Sequence, residues 1–493
     1  MPTTYFSPGV YVEEVASGSA PIAGVGTSTA GFIGVIPPKK DTKSVSKKDT
    51  TPPSEEGTTP PSEEGATPPS EEDTTPEVYT LGKIEGEKVG IGDGQKTVFN
   101  LNQHPASTQK GTFKVKVNEI DNTEATITYD ETKTKSQVNF TKAPDNDAIK
   151  DAIITVDYEL TSVPTQEVKL CTNFGEFKKF FGDFSEELGQ NTLAHAVYGF
   201  FRNGGTRCFV VWVTGEDKID NALNQFEAID EIAIVAAPGI TKTSTLDSIN
   251  GHCMNMGDRV AIYDTQEDVD ISKLKPGIDQ IPGASEYAAL YFPWIQVFDP
   301  ATKTERFVPP SGHIAGLYAR VDSQRGVHKA PANEVLVGAV GLKQNISKNQ
   351  QAGLNPKGIN CIRNLNGNIK VWGARTLGGD ANGEFKYINV RRLFNYMRKS
   401  IDEGTQWTVF EPNSPELWAR IRRNITAFLM IVWRSGALFG NTPEQAFYVK
   451  CDEETNPPEL REQGQVVTEI GVAIVKPAEF VIFHLSQWAG PGK

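Results

Sequence analysis

The stretch WTVFEPNSPELWARIRRNITAFLMIVWRSGALFGNTPEQAFYVKCD, residues 407–452, decides how the C-terminal part of the chain folds. Ser414 is placed to cap a helix, Pro415 suits its first turn, and Glu416 complements the positive end of the helix dipole. On a helical wheel Leu417, Trp418, Ile421, Ile425, Phe428, Leu429 and Val432 share one face. Arg420, Arg423 and Arg434 fall together on the opposite face. A glycine stop, a turn and terminal strands follow, the last opening at Pro477-Ala478-Glu479-Phe480. Residues 387–437 hold eight basic side chains (Arg391, Arg392, Arg398, Lys399, Arg420, Arg422, Arg423, Arg434) against four acidic ones, a basic surface in a chain of net charge −13. An ordinary solvated face accounts for that pattern, and a docking surface for an acidic protein is its functional reading.

Outward from this helix, both ends of the chain read as strands that need partners. GVYVEEV (9–15) alternates apolar and polar residues, and VVTEIGVAIVKPAEFVIFHL (466–485) holds two apolar strand runs. Unpaired strand edges recruit either their own sheet or another chain, so both fates stay open on the pattern alone.

Further upstream the composition changes twice. Residues 51–74 repeat TPPSEEGT, TPPSEEGA, TPPSEEDT. Proline removes backbone donors and the paired glutamates repel, so this segment is expected to be an extended linker. Residues 49–77 carry nine acidic residues and no Lys or Arg, most of the net −13, which leaves the rest near charge balance. TVFNL, FKVKVN, ATITYD, QVNFTK and IITVDYEL then alternate in the manner of a small β-sandwich. From about 165 the pattern becomes mixed α/β: Phe174 to Phe184 and Leu193 to Phe201 read as helices, and CFVVWV (208–213), IAIVAA (232–237) and RVAIYD (259–264) as buried strands. AGFIGVIPP, ending the first 40 residues, is another buried strand.

The expected fold class is therefore a multidomain α+β/α/β protein. The expected domains are an arm and first strand (1–40), the acidic linker (41–78), an inserted, outward-facing β-sandwich (79–163), a middle α/β domain (164–355) and a C-terminal inner domain (356–493) that also gathers the N-terminal strand.

Several function classes lose support. The acidic balance argues against nucleic acid as the main partner. The longest apolar run, Ala427 to Trp433, is too short to span a bilayer, and the start lacks a signal-peptide pattern. Five scattered cysteines without a CxxC pair read as reduced thiols in a cytoplasmic protein. GVGTSTAG (24–31) has the wrong spacing for a dinucleotide fingerprint, so its glycines are read as tight turns. GIGDGQKT (90–97) fails as a P-loop in spacing and context. The six histidines show no metal-ligand spacing, and Ser311-Gly312-His313 lacks a nucleophile elbow. No catalytic, cofactor-binding or metal-ligating residue is assigned.

Several long strings resemble the contractile tail sheath family of phages and phage-like injection systems. They are SPGVYVEEV, FFRNGGTRCFVVWV (200–213), VPPSGHIAGLYARVDSQRGVHKAPAN (308–333), INCIRNLNGNIKVWGARTL (359–377), FEPNSPELW and KPAEFVIF (476–483). They are spread over about 1–40 and 165–493, and the acidic repeat and β-sandwich depart from the family core. The resemblance implies a non-enzymatic subunit without cofactor, assembled in the cytoplasm into a helical polymer. That sleeve would surround an inner tube in an extended state and then contract to drive the tube through an envelope. Baseplate, terminal cap and an AAA+ ATPase would be its other partners, with no nucleic acid and no membrane insertion. It implies intersubunit arm strands at Val10, Tyr11, Val12 and at Val466, Val467, Ile470, Val472, Ile474, Phe480 and Ile482. It implies a helix against the tube, for which Arg420, Arg423 and Arg434 are the candidates. A nucleotide-binding α/β enzyme with an appended β domain, or a glycan-binding adhesin module, are the alternatives.

Overall fold

The computed structural model describes residues 21–37, 80–101, 106–130, 135–144, 152–186, 188–277 and 281–484. The linker 41–78 and the N-terminal arm positions Val10, Tyr11 and Val12 lie outside them.

The body is built on a nine-stranded sheet. Its centre is a parallel set in the spatial order Cys208–Val213, Ala30–Val35, Ile234–Ala236, Val260–Asp264, Ala288–Phe292, Ile359–Leu365. Antiparallel strands close both edges: Lys169–Cys171 on one side, Asn368–Val371 and Glu334–Val335 on the other. The central strands are near-continuous apolar runs because both faces are covered. Phe32, Val210, Trp212 and Ile234 face one core with the helices Leu188–Arg202 and Ser311–Arg325. Ile33, Val211, Val213 and Val235 face the other, with Ile219–Glu227 and Thr243–Met256.

Ala30–Val35 lies in the middle of this sheet, between strands that follow it by well over a hundred residues. Gly24, upstream of this strand, and Gly31 within it contradict the tight-turn expectation, while a Cβ at Gly26 would meet nothing within 4 Å. A Cβ at Gly31 would stand 2.7 Å from the Phe226 ring, and one at Gly24 would stand 2.1 Å from the Tyr396 hydroxyl. Close packing against aromatic rings, not turn geometry, is what these glycines provide. The boundary at 356 also needs correction. Ile359–Leu365 pairs in parallel with Ala288–Phe292, so this strand and Asn368–Val371 belong to the central sheet. Periodicity cannot show this, because a buried strand reads the same in any sheet that covers it.

Residues 80–161 form two further sheets. One runs Thr80–Gly92, Ala152–Thr161, Phe113–Val117, Ile120–Asn122; the other runs Val98–Asn100, Lys135–Asn139, Thr126–Asp130. Phe99, Val115, Ile127, Val138, Ile154, Val156 and Tyr158 pack together as their own core. The long strand Thr80–Gly92 escaped the sequence reading because its glycines and β-bulges break the alternation.

The C-terminal unit begins with the helix Ile388–Thr405, continues through Pro415–Arg434, and ends in the hairpin-like pair Phe447–Lys450 and Glu469–Val472. The side chains buried on Pro415–Arg434 are Leu417, Trp418, Ile421, Ile425, Phe428, Leu429 and Val432, the face read from the sequence. Ser414 accepts from the Leu417 amide at 3.4 Å, which caps the helix. Ile22 joins this core, so residues 21–37 cross from the C-terminal unit into the central sheet.

Candidate functional site

In open parallel sheets a ligand crevice forms outside the carboxyl ends of the strands where strand order reverses. Here the order reverses at Ala30–Val35, between Cys208–Val213 and Ile234–Ala236, and a buried carboxylate of a nearby strand holds the loop that follows Ile234–Ala236. Asp264, at the end of Val260–Asp264, accepts from the Gly239 amide at 3.1 Å, the Ser311 amide at 2.9 Å and the Ser311 hydroxyl at 2.6 Å. Burial pushes its carboxyl up to about 6 against the opposing pull of those donors. The carboxylate thus ties two strand ends to the start of the helix Ser311–Arg325.

The titratable groups of the body are also used internally. Burial is the first cause that lowers His195 and His252 to about 4 and His313 to about 3, so all three are neutral at ordinary pH. The cysteines are free and buried, and burial raises the Cys171, Cys253 and Cys361 thiols to about 12. Among the described residues no three His, Cys, Asp or Glu side chains gather in a metal-holding group.

Polar contacts concentrate instead on the helix Ile388–Thr405, which joins the body to the C-terminal unit. Arg392 forks onto Asp322 at 2.5 and 3.0 Å and donates to the Thr27 carbonyl at 2.9 Å. Arg391 meets Glu286 at 2.7 Å and stacks 4.0 Å from the Phe385 ring. Lys399 meets Asp258 at 2.8 Å, and Asn395 donates to the Arg259 carbonyl at 3.3 Å. A void of about 10 Å³ between Thr27, Asp258, Arg392 and Lys399 is of single-water size. Three of the basic residues read as surface charge, Arg391, Arg392 and Lys399, are therefore the seam between two cores. Their partners come from distant segments, which no local pattern reveals.

The next helix differs. Arg423 and Arg434 are exposed on the side away from the apolar face. Arg420 is partly engaged, 3.3 Å from Glu411 and 4.4 Å over the Trp407 ring. Ile431 and Phe439 are also exposed, so this surface is mixed apolar and basic. Of the expected arm residues, Val466, Ile470, Val472 and Ile474 pack on the chain's own C-terminal core, and Val467 is exposed. Phe480 and Ile482 project at 69% and 74% exposure. The final stretch, expected to be a strand, has no ladder partner among the described residues.

A family model described as the phage tail sheath protein central domain matches residues 213–377, and one for the phage tail sheath C-terminal domain matches 380–487. The PVC sheath complex of an extracellular contractile injection system, in its contracted state, is 30% identical over 66% of this chain and 88% of its own, with a TM-score of 0.58. The chain belongs to the contractile tail sheath family. The helical sheath of the anti-feeding prophage, also contracted, shares the fold at a TM-score of 0.60 and 24% identity, covering 98% of this chain and 100% of that one. Among curated relatives, the tail sheath protein of Vibrio phage KVP40 is 29% identical over 42% of this chain, which is 30% of its own length. The boundary between the two sheath models falls at 377–380, just after Asn368–Val371, in agreement with that strand's place in the central sheet. Ordered along the sheath chain, the seam helix, the half-free basic helix and the projecting arm all lie within the C-terminal match. Sequence reading missed the seam and the exposed Ile431. The second was legible, since Ile431 interrupts the polar side of an otherwise clean helical pattern.

Proposed function

We propose that this chain polymerises through its C-terminal unit into a helical sleeve around an inner tube, held in a metastable extended state, and that contraction of the sleeve drives the tube through a target envelope. The observation that carries this reading is the arm. A chain with four well-packed cores leaves Phe480, Val481, Ile482 and Phe483 exposed in a row. An apolar, extended, unpaired segment is what strand addition to another copy requires.

In this reading each body moves nearly as a rigid unit during contraction, because the seam of buried ion pairs binds it to the C-terminal unit. Arms at residues 8–16 and 466–485 keep neighbours connected. Arg423 and Arg434, with Arg420 beside them, face the tube as many weak, repeated charged contacts. Exposed pairs are worth ~0–1 kcal/mol each, so the tube can template the sleeve and still be released. The β-sandwich at 79–163 faces outward, as an insertion tolerated at a surface loop. Assembly takes place in the cytoplasm on a baseplate, with a cap ending the sleeve and an AAA+ ATPase recycling it.

Electron microscopy of the purified protein tests the reading. Ordered tubes that disappear on deleting residues 464–493, while the subunit keeps its circular dichroism spectrum, are expected. Tubes of normal form from that truncation would overturn the role of the arm. Deleting residues 41–163 across a short linker is expected to leave tube formation intact.

A further inference from the structure

Two of the strings that looked most distinctive in sequence, KVWGARTL and KPAEF, meet in space. Glu479 from the second places its carboxylate on Arg375 from the first. Arg375 Nε donates to Oε1 at 2.8 Å and Nη2 donates to Oε2 at 2.7 Å, a two-pronged fit. The Asn355 side-chain amide adds a bond to Oε1 at 2.7 Å, and the Tyr387 hydroxyl adds one to Oε2 at 2.8 Å. One carboxylate therefore accepts four hydrogen bonds.

The receiving side is also held by contacts that do not involve the arm. The Arg375 side chain is only 3% exposed, and its remaining nitrogen is spoken for by the Asn355 carbonyl at 3.0 Å and Asp380 at 3.1 Å. The buried Asn360 of the central strand Ile359–Leu365 holds the Arg375 backbone from both sides, accepting from its amide at 2.7 Å and donating to its carbonyl at 2.8 Å. Tyr387 bridges the Arg375 backbone. Burial by itself would raise the Glu479 carboxyl, but the bonds from Arg375, Asn355 and Tyr387 outweigh it and hold the group below its ordinary value.

The arm side is the reverse. Its last backbone bond within the C-terminal core is from the Val475 amide to the Ala437 carbonyl at 3.2 Å. Pro477 keeps the chain before it extended. Then comes Glu479, and immediately afterwards Phe480, Val481, Ile482 and Phe483 at 69%, 69%, 74% and 83% exposure. The arm leaves one core, crosses to the other, is pinned at a single side chain, and presents four apolar residues.

We propose that Arg375, Asn355 and Tyr387 form a carboxylate socket that fixes Glu479 and so aims the run from Phe480 to Phe483 at a second copy of this chain. The pinned arm is a positioned donor. Because those four side chains stay exposed while Glu479 is seated, the socket does not sequester them. The occupant is another copy because the relative that shares this fold at 30% identity is itself a sheath complex. The run follows the strand Glu469–Val472 of the C-terminal sheet by seven residues. The inference rests on the reading that the arm joins copies.

The experiment compares the concentration at which half the protein sediments as polymer for wild type, Glu479→Gln, Tyr387→Phe, the double variant and a truncation lacking residues 480–493, with a thermal melt of each free subunit. Glu479→Gln is expected to raise that concentration tenfold or more while lowering the melt only modestly, because Arg375 keeps its pair with Asp380. Tyr387→Phe should raise it severalfold alone and add nothing to Glu479→Gln, because both act through one socket. The truncation should not polymerise. If the truncation fails while Glu479→Gln and Tyr387→Phe assemble like wild type, the socket is overturned and the joining arm stands. If the truncation polymerises normally, the arm reading itself falls, and the socket with it. A lowered melting temperature in proportion to the assembly defect would overturn positioning in favour of plain structural support.

Discussion

Two consecutive helices put arginine to opposite uses. Ile388–Thr405 buries Arg391 and Arg392 among partners drawn from residues 27, 286 and 322. Pro415–Arg434 buries its apolar stripe and leaves Arg423 and Arg434 in solvent. Both are amphipathic, both are basic, and only a turn separates them. The lesson is that charge on a helix face carries no fixed meaning. It is a joint where another segment covers it and a solvated face where no described residue does.

The comparison breaks most visibly if one partner of the joint is removed. Arg392→Met leaves Asp322 buried and unpaired, and is expected to cost ~3–5 kcal/mol of stability in a urea melt. Arg423→Met in the same assay should stay within ~0.5 kcal/mol of wild type. Equal effects would mean that the two helices are not in different roles.

Acid sharpens the same contrast. Folded His195 and His252 titrate at about 4 and His313 at about 3, each below the ordinary 6.5. As pH falls from 6.5 toward 4 the unfolded chain binds protons that the folded body does not. Stability then falls by ~1.4 kcal/mol per pH unit for each histidine. Asp264, raised to about 6, acts in the opposite sense over part of this range, since its protonated form is favoured in the fold. His328, lowered by burial as well, adds to the three histidines, and together they outweigh Asp264 and leave a net loss. All of them sit in the body, and the C-terminal unit has only exposed His484. Hydrogen exchange at pH 4.5 against pH 7.5 should therefore show the central sheet loosening ahead of the core around Phe428.

A smaller effect tests the free helix's own start. Ser414→Ala removes the cap on the Leu417 amide and is expected to cost ~1 kcal/mol, with exchange rising in the first turn only. The smallest effect on stability, read instead in the tube contact, comes from reversing Arg423 and Arg434. Circular dichroism should be unchanged while cosedimentation with the inner tube weakens, more so as salt is lowered from the physiological range, where screening acts over ~8–10 Å. Unaltered cosedimentation would place the tube contact elsewhere.

The amphipathic helix was legible in full, from Ser414 through Val432, because cap, proline and spacing are local signals. The buried strands at 208–213 and 260–264 were legible for the same reason. Gly24 and Gly31 were misread, because what a missing Cβ makes room for comes from residues 396 and 226. The end of the central sheet was misplaced because strand partnership is a long-range fact. Of the seven expected C-terminal arm residues, Val466, Ile470, Val472 and Ile474 are partly buried against the chain's own C-terminal core, a contact that no local pattern reveals.

Sequence by itself determined the capped amphipathic helix and the buried central strands, and, through long ordered strings, the family. Those properties follow from periodicity, capping and composition, which act within a few residues. Only the tertiary structure decided which charges are joints and which are surfaces, and that Glu479 reaches Arg375 across the boundary between two cores. A carboxylate and a guanidinium 104 positions apart attract no notice in a sequence. They acquire a role when burial strips water from one and the fold brings the other within hydrogen-bonding distance.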